Sequence, residues 1–524
     1  MKKLTLMFAL QLSFQQPIVG QDVFQRIYNP PPQSFVNLDW YSSLYATDSG
    51  YIAAGSINNP NAGATLMRLN TDGSILSNNV YNISPGNILA SIDIAPLSDG
   101  TFMHNVYEGS NSIFIKTEYS GATLTANKLT PLFSTTVYKQ SPKGDFIFGA
   151  GRSRSNNVNG GMFCKLDLEG VPVTDTFISG PSDRLVTLTH IFETADGNFI
   201  LSGIRQIYGV PAASEMLIIK TDTVGNLIWS KQLGINATTS LQPVSGIEAN
   251  DGTLMFIVNN AVGSFTSLLK TDNTGNAIWL KTYNTALNQK PQLFTLKKYG
   301  TNDFIAVGSI DSAGSSARPM YMIFDGAGNV SDAKRFTGVS NLISSGNEYD
   351  PAKGLLMFGI KDNAANFGYF LFKTDLNLNS SCTSYPISFL QTNTATTDSA
   401  IVYTSTPLAL GYIDVGANIT INNFTSSDST LCPSVTGIVS DIEKQLFSLF
   451  PNPVNDGVLY INAENITENN FLLRITDATG KEFFNTQLQS GKNSVDVSHL
   501  SNGIYFYCLS GSNMHGKGKI ILSR

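Results

Sequence analysis

The residues of this 524-residue chain best suited to gripping or cutting a ligand are aromatics and arginines beside acids, in stretches that interrupt an otherwise repetitive sequence. Trp40 and Tyr41, Tyr107 and Glu108, Arg152 and Arg154, Asp183 and Arg184, Tyr208 and Arg318 form this set. Aromatic rings stack on apolar sugar faces and guanidinium forks grip carboxylates, so the set suits recognition of a polysaccharide or a protein. A glycan-active hydrolase or lyase in the same place would use Glu108 and Asp183 as its acids. Other chemistry has little to build on. There are four histidines, of which His499 and His515 fall near the C-terminus, and neither His104 nor His190 has a partner at metal-ligand spacing. No HExxH, GxSxG or GxxxxGK[ST] pattern occurs, and no cofactor or metal is expected. His190 reads either as a structural or solvent-exposed histidine or as part of a site on a channel-facing strand.

Repeats must position these residues. The pattern basic residue, any residue, Asp, two residues, Gly returns about every fifty residues, as in KTDTVGNLIWSKQLG from Lys220 and KTDNTGNAIWLKTYN from Lys270. Aligning Gly73, Gly121, Gly170, Gly225, Gly275 and Gly328, then the degenerate turn after Asp375, counts seven units. Such units cannot bury an apolar face alone and must stack. Apolar alternation with period two, punctuated by turn residues, predicts four strands in each. In the fifth unit these are a strand through Ile247, then Thr253 to Val258, Ser267 to Thr271 and Ala277 to Tyr283.

Asp272 can accept from nearby backbone N–H groups while Gly275 takes the positive φ of a tight hairpin. Asp167, Asp222, Asp325 and Asp375 occupy the same place, with Asn70 and Glu118 as variants. Lys220 and Asp222, two apart on a strand, share a face and are expected to pair with each other or with neighbouring strands. Trp229 and Trp279 stand at equivalent positions and read as packing residues. Eight positions after each turn glycine stand Tyr81, Leu129, Ile178, Leu233, Tyr283 and Phe336, all apolar or aromatic. The seventh unit loses this pattern, but near the N-terminus Phe24, Arg26, Tyr28 and Asn29 match Trp279, Lys281, Tyr283 and Asn284. The expected fold is therefore all-β, a seven-bladed β-propeller closed by an N-terminal strand, which removes unpaired sheet edges.

Charged residues are 14 % of the chain and the net charge of −6 is spread without basic clusters, so the footprint of a nucleic-acid binder is missing. Lys2 and Lys3 precede an apolar stretch from Leu4 to Phe14, with Gly20 at a plausible cleavage point, which reads as a signal peptide. No run is long and apolar enough for a transmembrane helix.

The segment DSGYIAAGS…TLMRLNTDGSIL resembles repeats of bacterial secreted proteins, and the spacing from Asp222 to Gly225 to Trp229 is similar to the tryptophan-docking repeats of quinoprotein-like propellers, with one residue fewer between Asp and Gly. The tail carries FPNP from Phe450, ITDATGK from Ile475, VDVSHLSNGIYFY from Val495 and GKGKIIL from Gly516. It resembles the type A C-terminal sorting domain recognised by the type IX secretion system of Bacteroidota. That resemblance implies sorting-signal roles for Pro451, Pro453, Gly480, Leu500, Gly503, Tyr505 and Lys519, the secretion machinery as partner, and a destination in the medium or on the cell surface. Turn-separated alternation over the same residues independently predicts a small antiparallel β-sandwich.

The expected organisation is a signal peptide over 1–20, the propeller over 21–380, a Ser/Thr/Asn-rich linker over 381–437 and the sorting domain over 438–524. The linker carries Cys382 and Cys432, which in an oxidising compartment form either a disulfide contributing on the order of 4 kcal/mol or two unpaired thiols. Cys164 and Cys508 read as core residues. The functional expectation is a non-catalytic binding or adhesion module for glycan or protein. A glycan-active enzyme and a structural surface-assembly component are the alternatives.

Overall fold

The computed structural model describes residues 23–432 and 448–523 apart from short stretches, chiefly between strands. Residues 1–20, Trp40, Tyr41, Tyr208 and Gly480 lie outside the described residues. The described elements are β-strands and one 3-10 turn at Gly416–Asn418. The chain divides into two compact units, Met1–Ser434 and Val435–Arg524.

In the first unit the repeated motif becomes a repeated antiparallel meander. One meander is Leu241–Glu248, Leu254–Asn260, Thr266–Thr271 and Ala277–Thr285, in agreement with the strands predicted from alternation. The next is Pro291–Tyr299, Asp303–Ser312, Ser315–Asp325 and Val330–Phe336. A ten-stranded sheet holds two meanders joined by a single parallel pairing of Asn159 with Leu185. After Leu342–Asp350, Gly354–Lys361 and Gly368–Lys373, the fourth strand is supplied by Phe24–Asn29, antiparallel with Phe24 opposite Lys373 and Tyr28 opposite Tyr369.

The turns explain why the motif recurs. The Asp222 carboxylate accepts from Val224 N and Asn226 N, both at 2.9 Å, and Gly225 takes φ +89°. The degenerate turn keeps this geometry without glycine: Asp375 accepts from Asn377 N and Asn379 N, and Leu378 takes φ +59°. A left-handed leucine costs roughly 1–2 kcal/mol, which the local hydrogen bonds must offset. Motif lysines reach the hairpin between the first two strands of their own meander: Lys220 Nζ lies 2.5 Å from Asp196 Oδ2, Lys270 Nζ 3.1 Å from Asp251 Oδ2 and Lys116 Nζ 2.9 Å from Asp99 Oδ2. Lys220 thus pairs with Asp196, while Asp222 serves its own turn.

Meanders dock through the fourth strand. Tyr81, Tyr283 and Tyr28 each donate a hydroxyl hydrogen bond to a turn-glycine carbonyl of the following meander, those of Gly121 at 2.6 Å, Gly328 at 2.7 Å and Gly73 at 2.7 Å. A Cβ at Gly275 would sit 2.6 Å from the Trp229 ring, so the indole approaches the backbone as closely as only a glycine there allows. Between neighbouring sheets lie apolar layers, such as the one in which Ile52, Leu66 and Tyr81 meet Ile94, Val106 and Ile115. Each fully buried Leu or Ile there contributes roughly 1.5–3 kcal/mol.

Residues 384–432, read from sequence as a linker, carry seven short described strands that pair with the outermost strands of the meanders. The second unit stacks a three-stranded sheet (Ser448–Phe450, Val458–Ala463, Gly491–Asp496) and a four-stranded sheet (Glu482–Gln489, Asn470–Thr476, Gly503–Ser510, His515–Leu522) around one core that includes Leu459, Leu473, Leu500, Tyr505 and Ile520. Leu500 and Tyr505 of the tail motif are therefore core residues, Gly503 and Lys519 are exposed, and Pro451 and Pro453 both follow cis peptide bonds.

Candidate functional site in the shared cavity

The first strands of the meanders converge on one cavity of about 540 Å³, lined from Ser43–Thr47, Leu89–Pro96, Asp183–Glu193, Leu241–Glu248, Pro291–Tyr299 and Leu342–Asp350. A β-bulge shapes most of these strands. The pairing register shifts between Ser91 and Asp93, Leu188 and His190, Pro243 and Ser245, Leu293 and Thr295, and Ser344 and Gly346. A bulge re-aims the side chains that follow it. Here those residues supply the cavity's polar lining, which includes Asp93, His190, Ser245, Thr295, Asn347 and Glu348, among apolar walls from Tyr45, Phe192 and Val244.

Hydrogen bonds cross from one inner strand to the next and fix this lining. Ile94 N donates to Ser43 Oγ at 3.0 Å, Thr189 Oγ1 to Pro243 O at 2.7 Å, Leu296 N to Ser245 Oγ at 3.1 Å and Ala46 N to Glu348 Oε2 at 3.0 Å. His190 Nε2 lies 2.9 Å from Gly246 O. A carbonyl only accepts, so Nε2 carries the proton. Burial pushes the Glu348 carboxyl above its ordinary range, against the Ala46 hydrogen bond and the field of Lys297, which pull it down. A carboxyl of this kind is poised to hold a proton or to take an ammonium or hydroxyl donor from a ligand.

Sequence reasoning placed His190 on a channel-facing strand, and the structure sets it in the cavity wall. It missed Asp93, Lys297 and Glu348. The available signal was inequality at matched positions: counting from each bulge, Asp93 corresponds to His190, and Glu348 to Lys297.

Of the aromatic, basic and acidic residues singled out from sequence, those whose side chains are described, Tyr107, Glu108 and Arg318, are not among the residues lining the cavity. Glu108, at the end of Phe102–Glu108, is tied to Lys128 Nζ at 2.5 Å. Tyr107 is half-buried beside it, and Arg318 is half-buried in Ser315–Asp325 of a different sheet. Arg152 and Arg154 fall in Ile147–Ser155, and Asp183 and Arg184 open Asp183–Glu193.

His104 is wholly buried, with Nε2 2.9 Å from Ser91 Oγ, and burial lowers its pKa to about 3, so it stays neutral. Cys164 is buried as a free thiol, and burial raises its pKa well above the ordinary value, which rules out a ready nucleophile. Among the described residues no group of three or more His, Cys, Asp or Glu gathers as metal ligands. Nor is any helix among them long and apolar enough to cross a membrane.

No curated protein matches the chain. Solved structures similar to it include a Dos1 propeller (12 % identity, 61 % of this chain and 75 % of that one, TM-score 0.38). Others are a puromycin hydrolase (12 %, 63 % and 52 %, TM-score 0.41) and a DUF4221 family member from Bacteroides vulgatus (10 %, 71 % and 99 %, TM-score 0.31). The chain spans about half the length of the puromycin hydrolase. At these identities no activity carries across. Residues 448–523 match the family described as the secretion system C-terminal sorting domain. The chain is an all-β protein of antiparallel sheets whose tail matches a secretion-system C-terminal sorting domain, which sends it through the type IX system to the cell surface or into the medium.

Proposed function

We propose that this exported chain is a non-catalytic binding module, a seven-bladed propeller closed by Phe24–Asn29, whose inner-strand cavity takes a small polar ligand of the glycan type. The observation that carries this reading is the unequal polar lining at matched positions of the inner strands, Asp93 against His190 and Lys297 against Glu348. Stacking alone would favour the same residue in every blade, as the turns display. The cavity's size falls within the roughly 300–1,000 Å³ of small-ligand pockets, and it combines aromatic walls with convergent polar groups. The ring reading draws on the equivalence of Tyr28 with Tyr81 and Tyr283 in reaching the next turn glycine.

The aromatic, basic and acidic residues that interrupt the repeat, such as Glu108 and Arg318, would offer a second surface, suited to a larger glycan or a protein. Glu108, an acid that glycan cleavage there would use, is engaged by Lys128 in an ion pair, an arrangement that suits binding. A thermal-shift screen of the purified chain against plant, algal and bacterial glycan fragments tests the reading. A ligand bound only by the folded state raises the melting temperature. A shift with one glycan class and no product supports the module; a shift with turnover replaces it by an enzyme; no shift across the panel contradicts a small-glycan site.

A further inference from the structure

The path of residues 384–432 is not explained by the repeat. After Gly368–Lys373 the chain passes Cys382 and then pairs in turn with Val330–Phe336, Ala277–Thr285, Leu227–Gly234, Pro172–Ser179, Thr123–Thr130, Ile75–Asn82 and Phe24–Asn29. It thus visits the outermost strands in reverse chain order, once each, and finishes on the N-terminal strand. Side chains pin it along the way: Ser230 Oγ donates to Ile401 O, Leu410 N to Asp175 Oδ2 and Arg26 to Asp428.

The two ends of this path meet. Cys382 is buried and disulfide-bonded. Of the other cysteines, Cys164 is free, and Cys508 lies in the second compact unit. Cys432 stands opposite Gln25 in the ladder, and Gln25 is the residue whose side chain touches both Cys382 and Ser380.

We propose that a Cys382–Cys432 disulfide closes residues 382–432 into a covalent hoop around the rim of the propeller, a redox-sensitive fastening for the ring. The proposal rests on the closed-ring reading above. The bond forms when the two thiols lose two protons and two electrons by exchange with a disulfide-bearing oxidase of the cell envelope, which leaves as a dithiol. Once closed, the hoop cannot peel from one blade without losing slack at the others. It also covers the outer backbone edge of each meander, which would otherwise be a template for aggregation. Because the cavity walls come from separate inner strands, the hoop fixes their spacing from the outside.

The test uses the full chain purified without reductant. Peptide mapping is expected to find Cys382 linked to Cys432, with Cys508 in neither partner. Amide exchange before and after reduction is expected to show protection in 384–432 falling on reduction, with the melting temperature lowered by about 5 °C. A Cys382–Cys508 link, alkylation of Cys432 without reduction, or unchanged exchange in 384–432 after reduction overturns the hoop. The ring reading is scored separately, by whether Phe24–Asn29 is protected in the oxidised protein. Peptide mapping on the natural sequence keeps the proposal falsifiable even if a Cys382→Ser variant fails to fold.

Discussion

At the turns between third and fourth strands, matched positions carry matched chemistry: Asp222, Asp272 and Asp325 each accept from backbone N–H groups two and four residues on. Along the inner strands, matched positions carry opposed chemistry, Asp93 against His190 and Lys297 against Glu348. The turns bind their own backbone and, through Tyr28, Tyr81 and Tyr283, the neighbouring meander, a task repeated from unit to unit. The inner strands share one cavity, where each unit contributes something different. Repetition therefore marks residues kept for folding, and its breakdown at an aligned position marks residues released for another use.

The largest effect that would break this contrast lies at the N-terminal strand, which has to behave like any other fourth strand. Phe24 is buried among Tyr51, Met67 and Leu356 and packs against Gly73. Phe24→Ala is expected to cost about 3–5 kcal/mol in denaturant unfolding; a cost below 1 kcal/mol would mean the strand is an accessory. Next come Tyr28→Phe and Tyr81→Phe, each removing a hydroxyl donor from a turn-glycine carbonyl at about 1–2 kcal/mol apiece, and then Tyr283→Phe at less, because Gln391 Nε2 still donates to the Gly328 carbonyl. Equal losses at Tyr28 and Tyr81 support equivalent interfaces, whereas a neutral Tyr28→Phe would separate the N-terminal strand from the rest.

Titration extends the contrast, because the carboxylates of the repeated hairpins between first and second strands and the carboxyl of the cavity shift with opposite signs. For Asp251 the Thr253 hydroxyl, then Lys270, outweigh partial burial and hold the pKa at about 2, below its ordinary 3.8. For Asp99, partial burial is outweighed by Thr101 and Lys116, again to about 2. These carboxylates contribute stability that is present above pH 3.8 and lost as the pH falls toward 2. Glu348 is raised instead by burial, so the folded state holds its proton longer than the unfolded chain does. Its contribution is present below pH 4.5 and is lost as the pH rises through the folded pKa. Glu348→Gln is expected to remove that decline, visible as a flatter melting-temperature profile above pH 4.5, and to weaken cavity ligands about tenfold. The smallest effect is Lys270→Ala, which breaks an exposed ion pair and is expected to cost under about 1 kcal/mol, with cavity binding unchanged.

The turns were legible in sequence because their hydrogen bonds are local: Asp and Gly three apart form one turn and need no distant partner. The match of Phe24 and Tyr28 to Trp279 and Tyr283 was legible because these two fourth strands meet equivalent turn glycines, Gly73 and Gly328. The inner strands hid their role, because alternation reads a residue facing a channel and one facing solvent alike. Asp93 and Glu348 therefore looked like ordinary polar positions, while Trp40 and Glu108 stood out as breaks in the repeat. The path of 384–432 was hidden for a different reason. Its strands are three to six residues long, largely polar, and paired through backbone to partners far away in sequence, and backbone pairing leaves little mark on composition. Leu378 shows the converse case, a turn whose geometry persists after its glycine signature is gone.

The most direct test of the cavity as the binding site is to soak crystals of the chain in a mixed panel of mono- and oligosaccharides and to locate the bound molecule. The account predicts sugar density in the inner-strand cavity, touching Asp93, His190 or Glu348. Density confined to the loop face around Glu108 and Arg318, or a cavity that stays free of sugar at saturating concentrations, would contradict it.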